Sequence, residues 1–139
     1  MDDDVHYVLD DQVGYVLRRV TQRHMAIFSE IIPEVTTTQF AAMARLAELG
    51  PVSQNQLGRA TSMDAATIKG VVDRLARQGL VETLPDPSDR RRLTVALTPA
   101  GLALFEARRR DALAVSLRTL HPLTPRERAR LLELLAKLA

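Results

Sequence analysis

Apolar residues recur at spacings of three and four along most of this chain, which is the period of an amphipathic α-helix. The pattern predicts six helices, at about residues 11–32, 37–50, 53–60, 64–78, 99–121 and 125–138. Good N-cap residues precede five of them, and two of these caps form capping boxes with a Gln or Glu three positions later. The five predicted caps are Thr36, Ser53, Asp64, Thr98 and Thr124.

The period changes to two between the fourth and fifth helices, which indicates β-structure. Residues 80–84 and 92–97 alternate apolar and polar positions, so they predict two strands of a hairpin. The residues between the two runs include two prolines and several turn-forming polar residues. They should therefore form a projecting, mobile loop. The second run places three apolar residues on one face, namely Leu93, Val95 and Leu97.

Two short helices, a tight polar turn and a hairpin make a helix-turn-helix with an attached wing, a unit that binds duplex DNA. The sequence therefore predicts a mainly α-helical fold with a small β-hairpin, in one domain of 139 residues. Residues 36–98 should form the DNA-binding lobe, and residues 1–35 and 99–139 should supply dimerisation helices. The last helix holds more leucines than one apolar stripe needs, so some should contact a second chain. These are Leu131, Leu132, Leu134, Leu135 and Leu138.

The formal net charge of +2 hides an uneven distribution. Residues 1–12 contain five aspartates and neither Lys nor Arg, so the rest of the chain carries +7. Arginine accounts for 17 of the 19 basic residues, and its planar guanidinium suits phosphates and guanine edges. A basic body suggests a polyanionic partner, although charge alone does not separate nucleic-acid binding from solubility.

Several classes of protein are excluded or disfavoured. The chain has no cysteine, which excludes disulfides, thiol catalysis and thiol sensing and is compatible with the cytoplasm. The acidic start does not have the form of a secretory signal, and no stretch approaches the roughly 20 apolar residues of a membrane span. The three histidines lie far apart, and neither a Gly-rich phosphate loop nor a nucleophile motif is present. We expect no metal, no cofactor and no enzymatic activity.

The helix at 64–78 is the predicted recognition helix, because the second helix of such a motif lies in the major groove. Its N-terminal half should read bases, with Thr67 and Lys69 as hydrogen-bonding candidates and the two alanines able to meet a thymine methyl group. The preceding helix should contribute contacts to the DNA backbone. The residues expected to face DNA are Ser53, Gln54, Ala65, Ala66, Thr67, Lys69, Gly70 and Arg74. The alternative is an amphipathic helix of a helical protein with another role.

Three consecutive arginines, Arg90, Arg91 and Arg92, follow the hairpin turn. Neighbouring like charges repel one another, and folding gains nothing obvious from them. At the tip of a projecting hairpin they would fit a narrow minor groove, where the potential is most negative. Asp89 could form a salt bridge with one arginine while another inserts. The alternative is a solvated run of charges.

With these residues identified, positions 10–139 resemble the MarR family of winged helix-turn-helix regulators. The pattern Asp-x-Arg-x-x-x-Val-x-Leu-Thr at residues 89–98, followed by Pro99-x-Gly101, fits the family's wing signature. Residues 71–81 fit the exit from its recognition helix. The resemblance implies a homodimer with interlocked first and last helices, bound to a near-palindromic operator. Many relatives carry a larger polar residue at the position of Gly70. Recognition of the operator by the wing or through DNA shape should therefore contribute more in this protein.

The resemblance also implies an effector between the dimerisation helices and the DNA-binding lobe. The candidate lining residues are Tyr15, Arg18, Arg19, Gln22, His24, Phe40, Met43 and Phe105. Aromatic rings beside Arg and His suit an aromatic carboxylate. The sequence at residues 11–24 resembles the branch of the family that governs catabolism of nicotinate-type acids. Each residue has another interpretation: the apolar ones as core, His24 as an interface residue, and the arginines as partners of acids on a second chain.

Taken together, these features predict a homodimeric repressor of transcription that binds a palindromic operator on double-stranded DNA. A small aromatic acid would release it. The alternative is a module that binds DNA without sequence preference, or binds another protein, and responds to no ligand. Within the same class, an activator or a regulator without a ligand fits the same residues.

Overall fold

The computed structural model describes residues 4–139. It confirms the mainly helical fold with a small antiparallel sheet. The acidic residues Asp2 and Asp3 of the predicted N-terminal arm lie outside the described residues. A short 3-10 turn at Leu9–Asp11 precedes the first helix. The remaining elements in order are α1 (Val13–Ile31), α2 (Thr37–Leu49), β1 (Val52–Ser53), α3 (Gln54–Ala60), α4 (Ala65–Arg77), β2 (Val81–Pro85), β3 (Leu93–Leu97), α5 (Pro99–Leu120) and α6 (Pro125–Leu138).

All five predicted N-caps are confirmed. Thr36, Ser53 and Thr124 each form a complete capping box, in which the cap side chain and the residue three positions later satisfy each other's backbone N–H groups. Asp64 and Thr98 each accept one hydrogen bond from a backbone N–H of the first helical turn. Local side-chain chemistry therefore fixes where these helices begin.

The sheet has three strands in the order β1–β3–β2, and β1 was not predicted. Two residues are too few to show an alternating pattern. The central strand β3 is paired along both edges. Its consecutive residues Thr94, Val95 and Ala96 are all buried, so both of its faces are covered at these positions. Leu93, Val95 and Leu97 share one face of β3, as predicted, but burial varies along this face, since Val95 is 2% exposed and Leu93 is 59% exposed. Pro85 belongs to strand β2 rather than to the loop, which a sheet edge allows.

Most of the core lies in the helix-turn-helix lobe, where Met43, Leu57, Ile68, Val71 and Leu75 are almost fully buried. The two ends of the chain contribute much less to it. Apolar side chains remain exposed on the N-terminal half of α1 and along α6, which has no buried residue. These exposed residues include Val13, Val16, Leu17, Val20, Leu132, Leu134 and Leu138.

One junction connects the recognition helix, the hairpin and α5. The Thr98 hydroxyl donates to the Gly79 carbonyl at 2.6 Å and accepts from the Gly101 backbone N–H at 3.0 Å. The Thr98 backbone N–H also donates to the Leu80 carbonyl at 3.1 Å. A Cβ placed on Gly101 would lie 2.0 Å from that carbonyl oxygen, so only glycine allows α5 to start this close to the hairpin.

The substitution Gly101→Ala should therefore destabilise the protein by about 1–3 kcal/mol or more, the usual cost of forcing atoms into a packed site. The free energy of unfolding from urea titration at fixed protein concentration measures it. Gly70→Ala is the matched control, because its Cβ would meet nothing within 4 Å in the middle of α4. This control should stabilise the protein by up to about 1 kcal/mol. Equal stability of Gly101→Ala and the parent protein would contradict the close approach.

Candidate nucleic-acid interface

The helix-turn-helix is held by a close contact between α3 and α4. A Cβ on Gly58 would lie 3.1 Å from both the Met63 carbonyl oxygen and the Ile68 side chain, so glycine lets the two helices approach. The turn between them places Ser62 at φ 56°, in the left-handed region. The Thr61 hydroxyl donates to the Leu57 carbonyl at 2.7 Å and thereby satisfies the end of α3. The angle between the two helices is thus set by backbone geometry.

Burial of one side of α4 decides which residues face outward. Ile68, Val71, Val72 and Leu75 are buried against the lobe, as the sequence predicted. Of the predicted DNA-facing residues on α4, all except Gly70 are exposed: Ala65, Ala66, Thr67, Lys69 and Arg74. Ser53 and Gln54, which precede and begin α3, are half-buried. Gly70 is half-buried.

The N-terminus of α4 is capped tightly. Asp64 accepts from the Thr67 backbone N–H at 2.7 Å. That N–H, followed by the Thr67 hydroxyl, holds the pKa of the Asp64 carboxyl below its ordinary value. The first turn of the recognition helix is therefore fixed before any ligand binds.

The structure adds one contact on the outward side of this helix that sequence reasoning did not predict. Asp73 forms an ion pair with Lys69, with 2.9 Å between the lysine Nζ and the carboxylate Oδ2. The two side chains are 66% and 49% exposed, so the pair lies on the outer surface of α4. The spacing of four residues was the available signal, because such residues are neighbours on a helix surface.

The structure brings the predicted α3 residues and the base of the wing together. Ser53 and Gln54 line an open cleft of about 400 Å³ that also contains Arg59, Arg92 and Leu93. Polar side chains of α3 form one wall and the start of β3 forms the other. Arg59 was not predicted from the sequence, and only the fold places it beside Arg92.

The wing loop follows β2 and is closed by a hydrogen bond from the Asp86 backbone N–H to the Arg92 carbonyl at 2.9 Å. Arg90 and Arg91 are exposed at this end of the hairpin. The predicted salt bridge of Asp89 is not among the ion pairs of residues 4–139. Its carboxylate instead accepts from the Arg91 backbone N–H at 3.0 Å. Asp89 therefore shapes the turn, because an aspartate in a turn readily accepts from the backbone N–H two residues later.

The predicted effector residues fall into separate groups. Tyr15, Arg18, Arg19 and Gln22 share one face of α1, because their spacings are three, four and seven. His24 follows Tyr15 by nine residues, about two and a half turns, and so lies on the opposite face. There its Nδ1 is 2.8 Å from the Thr119 hydroxyl of α5.

The aromatic candidates belong to a cluster at the other end of α1. The Phe40 ring lies 5.8 Å from the Phe28 ring and 5.4 Å from the Phe105 ring. Met43 is completely buried in the core beside them. Phe28 follows Tyr15 by 13 residues, a rise of roughly 20 Å along the helix. Tyr15 and the aromatic cluster therefore lie at opposite ends of α1.

A chain of polar contacts runs from α5 to the end of the recognition helix through Glu34. Arg108 of α5 forms an ion pair with Glu34 and another with Asp111. The Arg108 guanidinium holds the pKa of the Glu34 carboxyl below its ordinary value. The Gln78 side chain at the end of α4 donates to the Glu34 carbonyl at 2.9 Å. A movement of α5 can thus be transmitted to α4 through Glu34.

A second set of contacts joins α1 to the C-terminal end of α5. Arg23 donates to the carbonyls of Thr119 at 2.7 Å and Arg118 at 3.1 Å, where the unpaired carbonyls of a helix end attract a cation. Arg118 in turn pairs with Glu30 at 2.9 Å. These contacts could not be predicted from the sequence, because they join residues 88 to 96 positions apart.

Two structural findings bear on other classes of function. Among residues 4–139, no three His, Asp or Glu side chains come together where they could hold a metal ion. Within the same part of the chain, no helix combines the length and apolar character needed to cross a membrane.

Comparison with known proteins supports the assignment made from the residues. The MarR family model matches residues 35–93, which span α2, the helix-turn-helix and most of the wing. The HTH-type transcriptional repressor NicR of Pseudomonas putida is 41% identical over 138 residues, covering 98% of this chain and 87% of NicR.

Two solved structures show the same fold. One describes the mechanism by which 6-hydroxynicotinic acid regulates DNA binding of Bordetella bronchiseptica BpsR. It is 39% identical to this chain with a TM-score of 0.89, and the match covers 96% of each chain. The other is a mutant of Escherichia coli MarR complexed with operator DNA, 28% identical with a TM-score of 0.82. That match covers 91% of this chain and 92% of MarR.

These relatives are regulators rather than enzymes, and they share the recognition helix and wing described above. The identity to NicR across almost the whole chain shows more than a common fold. The prediction of a DNA-binding transcriptional regulator is confirmed. The chain belongs to the MarR family of winged helix-turn-helix transcriptional regulators.

Proposed function

We propose that this protein acts as a homodimeric repressor that binds a palindromic operator and leaves it when a small aromatic carboxylate binds. The proposal rests mainly on one observation, which is that three features suited to DNA lie on the same surface of the lobe. Its exposed recognition helix, polar cleft and arginine-tipped wing belong to one rigid unit joined at Thr98. The relatives come from bacteria, in which DNA lies in the cytoplasm, and we therefore propose that this protein is cytoplasmic.

A second copy of the chain is the proposed cover for its two apolar ends. The exposed side chains of α1 and α6 are too numerous for a monomer, and such patches usually mark interfaces. Val13, Val20, Leu132 and Leu138 are each between 48% and 73% exposed. A two-fold dimer places the same patch on both copies and so presents two recognition helices to one palindrome.

On the operator, each α4 would enter a major groove and each wing would reach the neighbouring minor groove. The Ser53 hydroxyl oxygen accepts within its capping box, so its proton can donate to a phosphate. Arg59 and Arg92, on opposite walls of the cleft, would hold the same stretch of backbone. Arg90 or Arg91 would insert into the minor groove, whose negative potential attracts guanidinium groups.

The effector would bind at the polar face of α1. Arg18 and Arg19 can anchor a carboxylate by charge-assisted hydrogen bonds, and Tyr15 and Gln22 stand one turn away on the same face. This face points away from the core of its own chain, so the rest of the pocket would come from the dimer partner. The similarity to NicR and to BpsR, whose DNA binding is regulated by 6-hydroxynicotinic acid, favours a hydroxypyridine carboxylate.

Release requires only that the ligand favour a dimer geometry with another spacing of the two lobes. A coupling free energy of about 1–3 kcal/mol changes DNA affinity by roughly 5- to 150-fold. The contacts of Arg23 with α5 and of Glu34 with α4 offer a continuous route from α1 to the recognition helix. The ligand and DNA then compete through the position of α5 without touching each other.

The substitution Arg91→Ala should weaken binding to every DNA sequence, because it removes a minor-groove contact from each wing. The plot of log affinity against log salt concentration should become shallower by about one for each wing. Fluorescence anisotropy at several salt concentrations measures both effects. Arg109→Ala on α5 is the control, since it removes the same charge from an exposed position outside the lobe. Equal slopes for Arg91→Ala and the parent protein would exclude Arg91 from the interface, and equal slopes for Arg90→Ala as well would remove the wing from it.

A second prediction concerns release. Adding 6-hydroxynicotinate should lower the affinity for the operator by roughly 5- to 150-fold. The same hydroxypyridine ring without its carboxylate should have no effect, because the arginines would have no anion to bind. Arg18→Gln and Arg19→Gln should reduce the response to the acid while leaving operator binding intact without ligand.

The outcomes of this titration separate the proposals. If no aromatic acid in a panel changes the affinity for the operator, the proposed ligand site on α1 is wrong, but the proposed operator binding is unaffected. If both arginine variants respond as the parent does, the carboxylate binds elsewhere. If the protein binds scrambled DNA as tightly as its operator, it is instead a module without sequence preference.

A further inference from the structure

We propose that Asp73 determines sequence specificity: together with Lys69 it reads one G·C base pair in each half-site. This inference rests on the proposed operator binding. The established family membership assigns no base to this pair, and the sequence pointed only to the lysine.

Asp73 is the only acidic residue of α4, and it lies on the outward side of the helix. A carboxylate there approaches the phosphates of both strands when α4 enters a major groove, and this repulsion opposes binding. Fold stability does not explain its presence. An exposed ion pair contributes little to folding, and a lysine four residues before the acid is the weaker of the two orientations on a helix.

Its position relative to the bases offers a reason. Lys69 follows Ala65 by four residues and Asp73 follows Lys69 by four, so the three lie in one row along the outer face of α4. This row begins at the N-terminal end, which recognition helices direct toward base edges. Asp73 therefore follows Lys69 along the groove, about 6 Å farther along the helix axis.

The pair is chemically complementary to G·C. In the major groove, guanine presents two neighbouring acceptors, O6 and N7, and its cytosine presents an amino donor. A lysine ammonium can donate to both guanine acceptors, and a carboxylate can accept from the cytosine amino group. The 2.9 Å contact holds the donor and the acceptor side by side, as the edge of this base pair requires. An A·T pair separates its two acceptors by a donor and adds a methyl group on the pyrimidine side.

The same pair would discriminate against other DNA. On a sequence without the matching base pair, Lys69 stays neutralised by Asp73, and the carboxylate still repels the backbone. Binding to such sites is weakened although no contact is lost. Specificity then comes from a repulsive element as well as from an attractive one.

The test is a selection of binding sites from randomised DNA, followed by anisotropy titrations of the selected operator and its single-base variants. The parent protein should select a G·C pair at one symmetric position of each half-site. In Asp73→Asn, discrimination at this position should fall by about 5- to 150-fold, while the other positions keep theirs. The affinity for unrelated DNA should rise. Lys69→Gln should lose discrimination at the same position.

Glu82→Gln supplies the matched control, because it removes one negative charge from an exposed residue of β2. It should leave base preference unchanged at every position. A selected sequence identical for Asp73→Asn and the parent would overturn the inference, and so would loss of preference at different positions in the two α4 variants. If the parent itself selects no sequence, the proposed operator binding fails and this inference fails with it. Thermal unfolding of each variant identifies any effect that comes from misfolding.

Discussion

The DNA-binding surface depends on the contact between Gly101 and the Leu80 carbonyl. At this point the recognition helix has just ended, the hairpin begins and α5 starts, and the Thr98 hydroxyl bridges the first and last of these elements. Any side chain larger than hydrogen at position 101 would separate them. The wing is therefore fixed relative to α4, and both are fixed relative to the helix that leads toward the other end of the chain.

Local signals made much of this fold predictable. The caps and the buried stripe of α4 follow from short-range chemistry, and the structure confirms them. The burial of both faces of β3 and the pairing of β1 could not be predicted, because they depend on which elements pack on the sheet and which strand lies beside β3. The candidate site likewise contains residues that the sequence identified and residues that only the structure revealed. The sequence identified the wing arginines, whereas Arg59 in the cleft and the turn made by Asp89 depend on three-dimensional neighbours.

In the proposed function, DNA binds to the lobe, and the ligand binds to the polar face of α1, away from the DNA-binding surface. Most of the core belongs to the lobe, so the lobe moves as a unit. The exposed leucines of α6 and the apolar start of α1 are the surfaces that the second chain of the proposed dimer would cover. A ligand at the polar face of α1 would act where the structure is least constrained by its own chain, and α5 would carry the change to the rigid lobe.

The central claim is that two such lobes bind one operator at a spacing of about one helical turn. Inserting five base pairs between the half-sites tests this most directly, because half a turn moves one half-site to the opposite face of the duplex. We predict that anisotropy titration shows a loss of at least about 100-fold, toward the affinity for unrelated DNA. An unchanged affinity for the spaced operator would contradict the account, since it would mean that the half-sites are bound independently.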